Sequence, residues 1–85
     1  METKNNKMEF KVLLNMVDST KDFVRIAELF NTNIDVRTCN NRFTVDGTSL
    51  MGMFSLDLSL PVIVSVNDDE VGNAFKEAVI KYVVD

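Results

Sequence analysis

Histidine is absent from this chain of 85 residues. Its absence removes the commonest general base and the commonest metal ligand at once. The single cysteine, Cys39, cannot close an internal disulfide and cannot build a Cys-rich zinc cluster. Such cysteine usage fits a reducing compartment, and a cytoplasmic location is expected. The glycines are only Gly47, Gly52 and Gly72, too scattered for a phosphate-cradling loop. Long apolar runs are missing as well. The longest, Leu60 to Val64, is far short of the ~18 residues of a membrane helix, and Met1 to Lys7 is too polar for a signal peptide. Positive charge is also in deficit. Nine Lys and Arg stand against thirteen Asp and Glu, for a formal net charge of −4. An acidic surface repels phosphate backbones and anionic lipid, so neither nucleic acid nor a membrane is expected as a partner.

What the chain does have is a normal apolar content of 46%, enough for one small globular domain. Residues 1–7 read as a polar tail and 8–85 as the domain. Met8, Phe10, Val12 and Leu14 recur with the period of a strand buried on one face. Asp18-Ser19-Thr20 can cap a helix whose inner face is Phe23, Ile26, Ala27 and Phe30, with Asn31 as a left-handed stop. Ile34 and Val36 mark a second strand, Asn40-Asn41 a tight turn, and Phe43 and Val45 a third strand. Pro61 starts a fourth strand with Val62, Val64 and Val66 inward. Asn67 with Glu70 reads as a second cap. Val71, Ala74, Phe75, Ala78, Val79 and Tyr82 then hold helical spacing to the C-terminus, where Glu77 and Lys81 form an i,i+4 pair. The order β-α-β-β-α-β-α predicts an α+β, two-layer domain with its helices on one face of a mainly antiparallel sheet.

Chemistry-bearing clusters are scarce. Asp68-Asp69-Glu70 lacks calcium-loop spacing and reads as negative charge at a helix N-terminus. Cys39 has no sequence neighbour that would activate its thiol. No serine has a histidine beside it. The sequence therefore points away from an enzyme, and no cofactor or metal is expected.

The informative stretch runs from Thr48 to Leu56. On a short helix Leu50, Met51 and Phe54 cluster, while Met53 and Leu56 take a neighbouring face. A helix so short cannot bury all five, and exposed methionine and phenylalanine suit an adaptable contact patch. The alternative is that all five are core. Ser49 stands at the N-cap position, where it is a simple cap or, in addition, a phosphorylation site whose added charge would lie beside the patch.

Thr48-Ser49-Leu50-Met51-Gly52-Met53-Phe54-Ser55-Leu56 resembles the Lys-Ser-Ile-Met-Gly-x-x-Ser-Leu pattern of the HPr family, the phosphocarriers of the bacterial sugar phosphotransferase system. Ala27-Glu28-Leu29-Phe30-Asn31-Thr32-Asn33-Ile34 resembles the family's Ala-x-x-Phe-Asn-x-x-Ile. The resemblance spans nearly the whole chain after the tail. It implies the HPr-like open-faced sandwich, with a four-stranded antiparallel sheet. Counted back from Phe30 without gaps, the family's phosphoryl-carrying histidine falls on Met16, and its arginine two residues on falls on Asp18. A thioether cannot carry phosphate, so the resemblance implies the scaffold without the carrier function. Crh-like paralogues are similar in lacking the histidine while keeping the serine. By resemblance Ser49 corresponds to the family's regulatory serine. HPr kinase/phosphorylase or a catabolite-control-type regulator would then be the partner, and Met16, Asp18, Leu50, Met51 and Phe54 its contacts. Two other expectations stand beside this one: a scaffold or homodimer built on the same patch with no phosphotransferase role, and a phosphotransfer protein using another acceptor.

Overall fold

The computed structural model describes residues 7–40 and 43–84. Most of the expected tail, residues 1–6, lies outside them, as do Asn41 of the expected turn and Asp85. Along the chain come β1 (Met8–Val12), α1 (Val17–Leu29), β2 (Ile34–Thr38), β3 (Thr44–Asp46), α2 (Leu50–Phe54), β4 (Val62–Val66), α3 (Asp69–Ala78), a 3₁₀ turn (Ile80–Tyr82) and β5 (Val83–Val84).

The strands form one antiparallel sheet in the order β3-β2-β4-β1-β5. Its registers follow the period-two pattern. Phe10 and Val36 both pair with Val64, Met8 and Ile34 with Val66, and Val12 with Val62, so the inward valines of β4 meet apolar residues of β1 and β2, with Thr38 opposite Val62 on β2 the one polar partner. Phe10, Val12, Ile34, Val36, Val62, Val64 and Val66 are buried on that face. The core over them comes from Phe23, Val24 and Ala27 of α1, Met53 of α2, Phe75 of α3 and Val79 just past it. Phe75 is its aromatic centre. The rings of Phe23 and Phe30 each meet it edge-on at 5.3 Å, and Phe10 lies at 6.2 Å. Edge-on pairs add to plain burial because ring edges and faces carry opposite partial charge. Gly72 lets α3 approach β1 closely, since a Cβ there would stand 2.9 Å from the sulfur of Met8.

Several expectations are corrected. The sheet has five strands, not four. α3 ends at Ala78 instead of reaching the C-terminus, and Val83–Val84 pairs along Lys11 and Val12. Two β-branched residues in succession favour extended backbone. With the helix ended, Lys81 does not meet Glu77. Its ammonium lies 3.6 Å from the carboxylate of Asp22.

α1 begins before the expected cap. Met16 is its N-cap residue, in extended conformation and without a side-chain cap bond, which puts Asp18 in the first turn. Thr20 is buried, and its hydroxyl donates to the carbonyl oxygens of Leu14 (3.2 Å) and Met16 (3.3 Å). At the other end Phe30, not Asn31, closes the helix in extended conformation while its ring packs on Phe75. α3 is capped by Asp68 rather than Asn67. The Asp68 carboxylate accepts from the backbone N–H of Glu70 (2.8 Å) and Val71 (3.2 Å). Phe43 is 61% exposed, because pairing in β3 starts only at Thr44. Ala74 and Ala78 also face outward.

Candidate functional site

The short helix α2 is built by local hydrogen bonds. The Asp46 carboxylate accepts from the backbone N–H (2.9 Å) and the hydroxyl (2.7 Å) of Thr48, which turns the chain. These bonds hold the Asp46 carboxyl below its ordinary range. The Ser49 hydroxyl then accepts from the backbone N–H of Gly52 at 3.1 Å, an N-cap that satisfies one of the orphan donors of the first turn. Gly52 is confined. A Cβ on it would lie 3.1 Å from the Ser49 hydroxyl and 3.2 Å from the Cβ of Val45. A bare backbone at this position lets α2 sit against β3. At the far end the Ser55 hydroxyl donates to the Gly52 carbonyl at 2.6 Å.

This geometry divides the apolar residues of α2. Met53 is fully buried and Leu56 nearly so. Met51 is 86% exposed, Phe54 43% and Leu50 37%. Two methionines two residues apart thus face opposite ways, one anchoring the helix and one projecting from it.

The start of α1 adds to the exposed set. Met16 is 64% exposed and Val17 nearly as open. Both line one shallow groove together with Asn15, Phe54 and Leu58, a cavity of about 210 Å³. The Thr20 hydroxyl ties the first turn of α1 to the carbonyls of Leu14 and Met16 in the chain leading into it. Met16 and Phe54 therefore belong to one surface, and Asp18 is exposed next to Val17. Val17, Asn15 and Leu58 join this groove without any local spacing that marks them as surface partners of Phe54. The missed signal was the earlier start of α1, which brings Val17 onto the surface instead of the strand-to-helix loop.

Two other cavities lie away from this surface. One of about 380 Å³ runs along the β1–β5 edge beside Glu9, Lys11 and Lys76. One of about 200 Å³ sits beside Cys39 and Pro61. The exposed Cys39 thiol donates to the Pro61 carbonyl at 3.4 Å. Among the described residues no group of three or more carboxylate or thiol side chains is arranged to hold a metal ion. No helix among them is long and apolar enough to cross a membrane.

No family model matches the chain, and no curated protein matches it. Among solved structures it is similar to HPr-C-His from Thermoanaerobacter tengcongensis, with a TM-score of 0.63 and 22% identity. That likeness covers 86% of this chain and 91% of the other. Beyond the added strand β5, the order of elements, the one-sided helical layer and this likeness lead to one conclusion: the fold is the HPr-like open-faced sandwich.

Proposed function

We propose that this chain is an HPr-like protein-binding module related to the bacterial phosphotransferase system, acting by docking and not by carrying phosphate on histidine. The observation that carries this reading is the apolar surface on which Met16, Val17 and Phe54 line one groove and Leu50 and Met51 flank Phe54 on α2, whereas the other exposed large apolar residues, Leu29, Phe43, Leu60 and Ile80, each lie on a different element or loop. Exposed apolar patches on small domains mark contact sites, and methionines adapt their shape to a partner. Asp18 supports the second half of the reading. Its negative charge lies beside Met16, where an arriving phosphoryl group would be repelled rather than drawn in. Ser49 is the candidate switch. A phosphate there would add about two negative charges at the edge of the patch. A cytoplasmic setting follows from the same reading.

The test is capture of proteins from cytosol on immobilised wild type and on Phe54→Glu, with folding of both checked by circular dichroism. A partner held by wild type and lost on Phe54→Glu supports docking through this surface. A folded Phe54→Glu protein that captures the same set at the same level overturns it. The homodimer reading shares the surface and predicts a different result, concentration-dependent size in solution that Phe54→Glu abolishes.

A further inference from the structure

We infer that the Asp46–Gly47 link is the site at which this chain converts aspartate to isoaspartate, and that the pairing of β3 with β2 and the hydrogen bonds of Thr48 to Asp46 gate the conversion.

The dipeptide stands alone in the sequence. Every other Asp or Asn that has a successor precedes a residue with a side chain, whose Cβ crowds the backbone nitrogen. Glycine leaves that nitrogen open to the preceding carboxyl. The fold also dictates both residues. Gly47 is buried against β2, where a Cβ would stand 2.8 Å from Cγ2 of Ile34. The Asp46 carboxylate is the acceptor that turns the chain into α2, taking bonds from the backbone N–H and the hydroxyl of Thr48.

The reaction needs no other molecule than water. The Gly47 nitrogen attacks Cγ of Asp46 in its neutral carboxylic acid form. The N–Cγ bond forms, the amide proton and the carboxyl hydroxyl leave as water, and a succinimide ring results. Water then adds to one of the ring carbonyls. Cleavage of the bond from the nitrogen to Cγ restores aspartate. Cleavage of the bond to the α-carbonyl carbon leaves the chain running through Cβ and Cγ, with the free carboxylate on Cα. The mass is unchanged.

Several features of the folded chain oppose ring closure. Asp46 is the last residue of β3, paired opposite Asp35, and an extended backbone turns the Gly47 nitrogen away from Cγ. The Gly47 N–H donates to the Ile34 carbonyl at 2.7 Å, which holds the nitrogen against β2. The Thr48 bonds fix the carboxylate and favour its charged form, a poor electrophile. All of these rely on a strand of 3 residues at the sheet edge, and short edge elements open locally more readily than the whole domain unfolds. Opening of β3 releases them together.

The product loses the entry to α2. The Asp46 carbonyl accepts from the Ser49 N–H at 3.0 Å, and its side chain accepts from Thr48. Isomerisation moves both groups and adds Cβ to the backbone. Ser49 then leaves its position as the cap of α2, and the exposed Leu50, Met51 and Phe54 are displaced with that helix.

The test is incubation of the full chain in neutral buffer, folded and in denaturing urea, followed by proteolytic mapping with enzymatic methylation of isoaspartate as the readout. Thr48→Val is incubated alongside, with its folding checked by circular dichroism. Isoaspartate should appear at Asp46 ahead of every other position. It should form about tenfold or more slowly in the folded wild type than in urea, and faster in folded Thr48→Val than in folded wild type. In the isomerised protein, hydrogen exchange should quicken at the amides of Thr48 to Met53 while those of β1 and β4 keep their protection. Equal rates with and without urea overturn the gating, and an unchanged rate in Thr48→Val overturns the part given to its hydroxyl. Isoaspartate arising first elsewhere, or absent from Asp46 even in urea, overturns the assignment of the site.

Discussion

The hydroxyl of Tyr82 donates a hydrogen bond of 2.6 Å to the Asp22 carboxylate, joining residues 60 apart in sequence. The bond ties the 3₁₀ turn before β5 to the outer side of α1. Asp22 also pairs with Arg25 and lies 3.6 Å from Lys81. The Tyr82 bond, ahead of these cations, lowers the Asp22 pKa. Burial, and then the bond to Asp22, push the Tyr82 pKa up to about 12 from its ordinary 10.0.

Both shifts make stability depend on pH. The Asp22 value is depressed in the folded state, so its contribution is present above the unfolded value of 3.8 and lost as pH falls through the folded one. The Tyr82 value is raised, so its contribution is complete below pH 10 and lost as pH climbs toward 12. Tyr82→Phe should cost about 1 kcal/mol at neutral pH, a few degrees in Tm for a domain of this size. It should also flatten both the acid and the alkaline limbs of a stability–pH curve measured by urea unfolding. An unchanged curve would show that the bond contributes nothing in solution.

Gly52 and Ser49 should behave as a coupled pair. Ser49→Ala removes the cap of α2 and should cost about 1 kcal/mol. Gly52→Ala gains helix propensity but presses a Cβ to 3.1 Å from the Ser49 hydroxyl and 3.2 Å from the Val45 Cβ, which β3 holds in place. The net expected is a loss of about 1 kcal/mol. Because Ser49→Ala removes one of the two crowding atoms, Gly52→Ala should cost less in the Ser49→Ala background. A double-mutant cycle by denaturant unfolding measures that coupling.

The same residues show what was legible in the sequence. The period-two valines of β4 gave its inward face correctly, and the spacing of Phe23, Ala27 and Phe75 gave the helical faces of the core. Ser49 as a cap and the outward Leu50, Met51 and Phe54 were also readable, because a five-residue helix has too little area to hide them. Helix ends were not. Thr20 looked like a capping residue, yet its hydroxyl bonds back to Leu14 from inside the first turn, a choice made by burial rather than by local propensity. β5 was hidden for a related reason. Val79 and Tyr82 keep helical spacing, while the β-branched pair Val83–Val84 and the long-range contacts of Tyr82 with Asp22 and of Val83 with Val12 accompany the end of that helix. The neighbourhood of Met16 and Phe54 is likewise a tertiary fact that no local spacing carries.

Phosphorylation at Ser49 is expected from its cap position and its resemblance to the family's regulatory serine. Incubation with ATP and purified HPr kinase/phosphorylase should yield one phosphate per chain by mass spectrometry, located to Ser49 and absent from Ser49→Ala. Phosphate on Thr48, or none on the wild type, would remove the switch and leave the docking surface untouched.

Incubation with phosphoenolpyruvate and the general enzyme of the phosphotransferase system should leave no acid-labile phosphate on the protein. Met16 offers no acceptor atom, and the exposed Asp18 adds a like charge to an incoming phosphoryl group. An acid-labile adduct on any side chain would make this a carrier with an unforeseen acceptor.

The docking surface itself is tested most directly by calorimetric titration of a purified captured partner against wild type, Met51→Glu and Leu60→Glu. Met51 and Leu60 are both strongly exposed apolar residues, so the two substitutions carry similar cost to folding, but only Met51 belongs to the Met16–Phe54 surface. The expected result is a loss of about tenfold or more in affinity for Met51→Glu, against little change for Leu60→Glu. Equal affinity for wild type and Met51→Glu, or a loss confined to Leu60→Glu, would contradict docking through this surface.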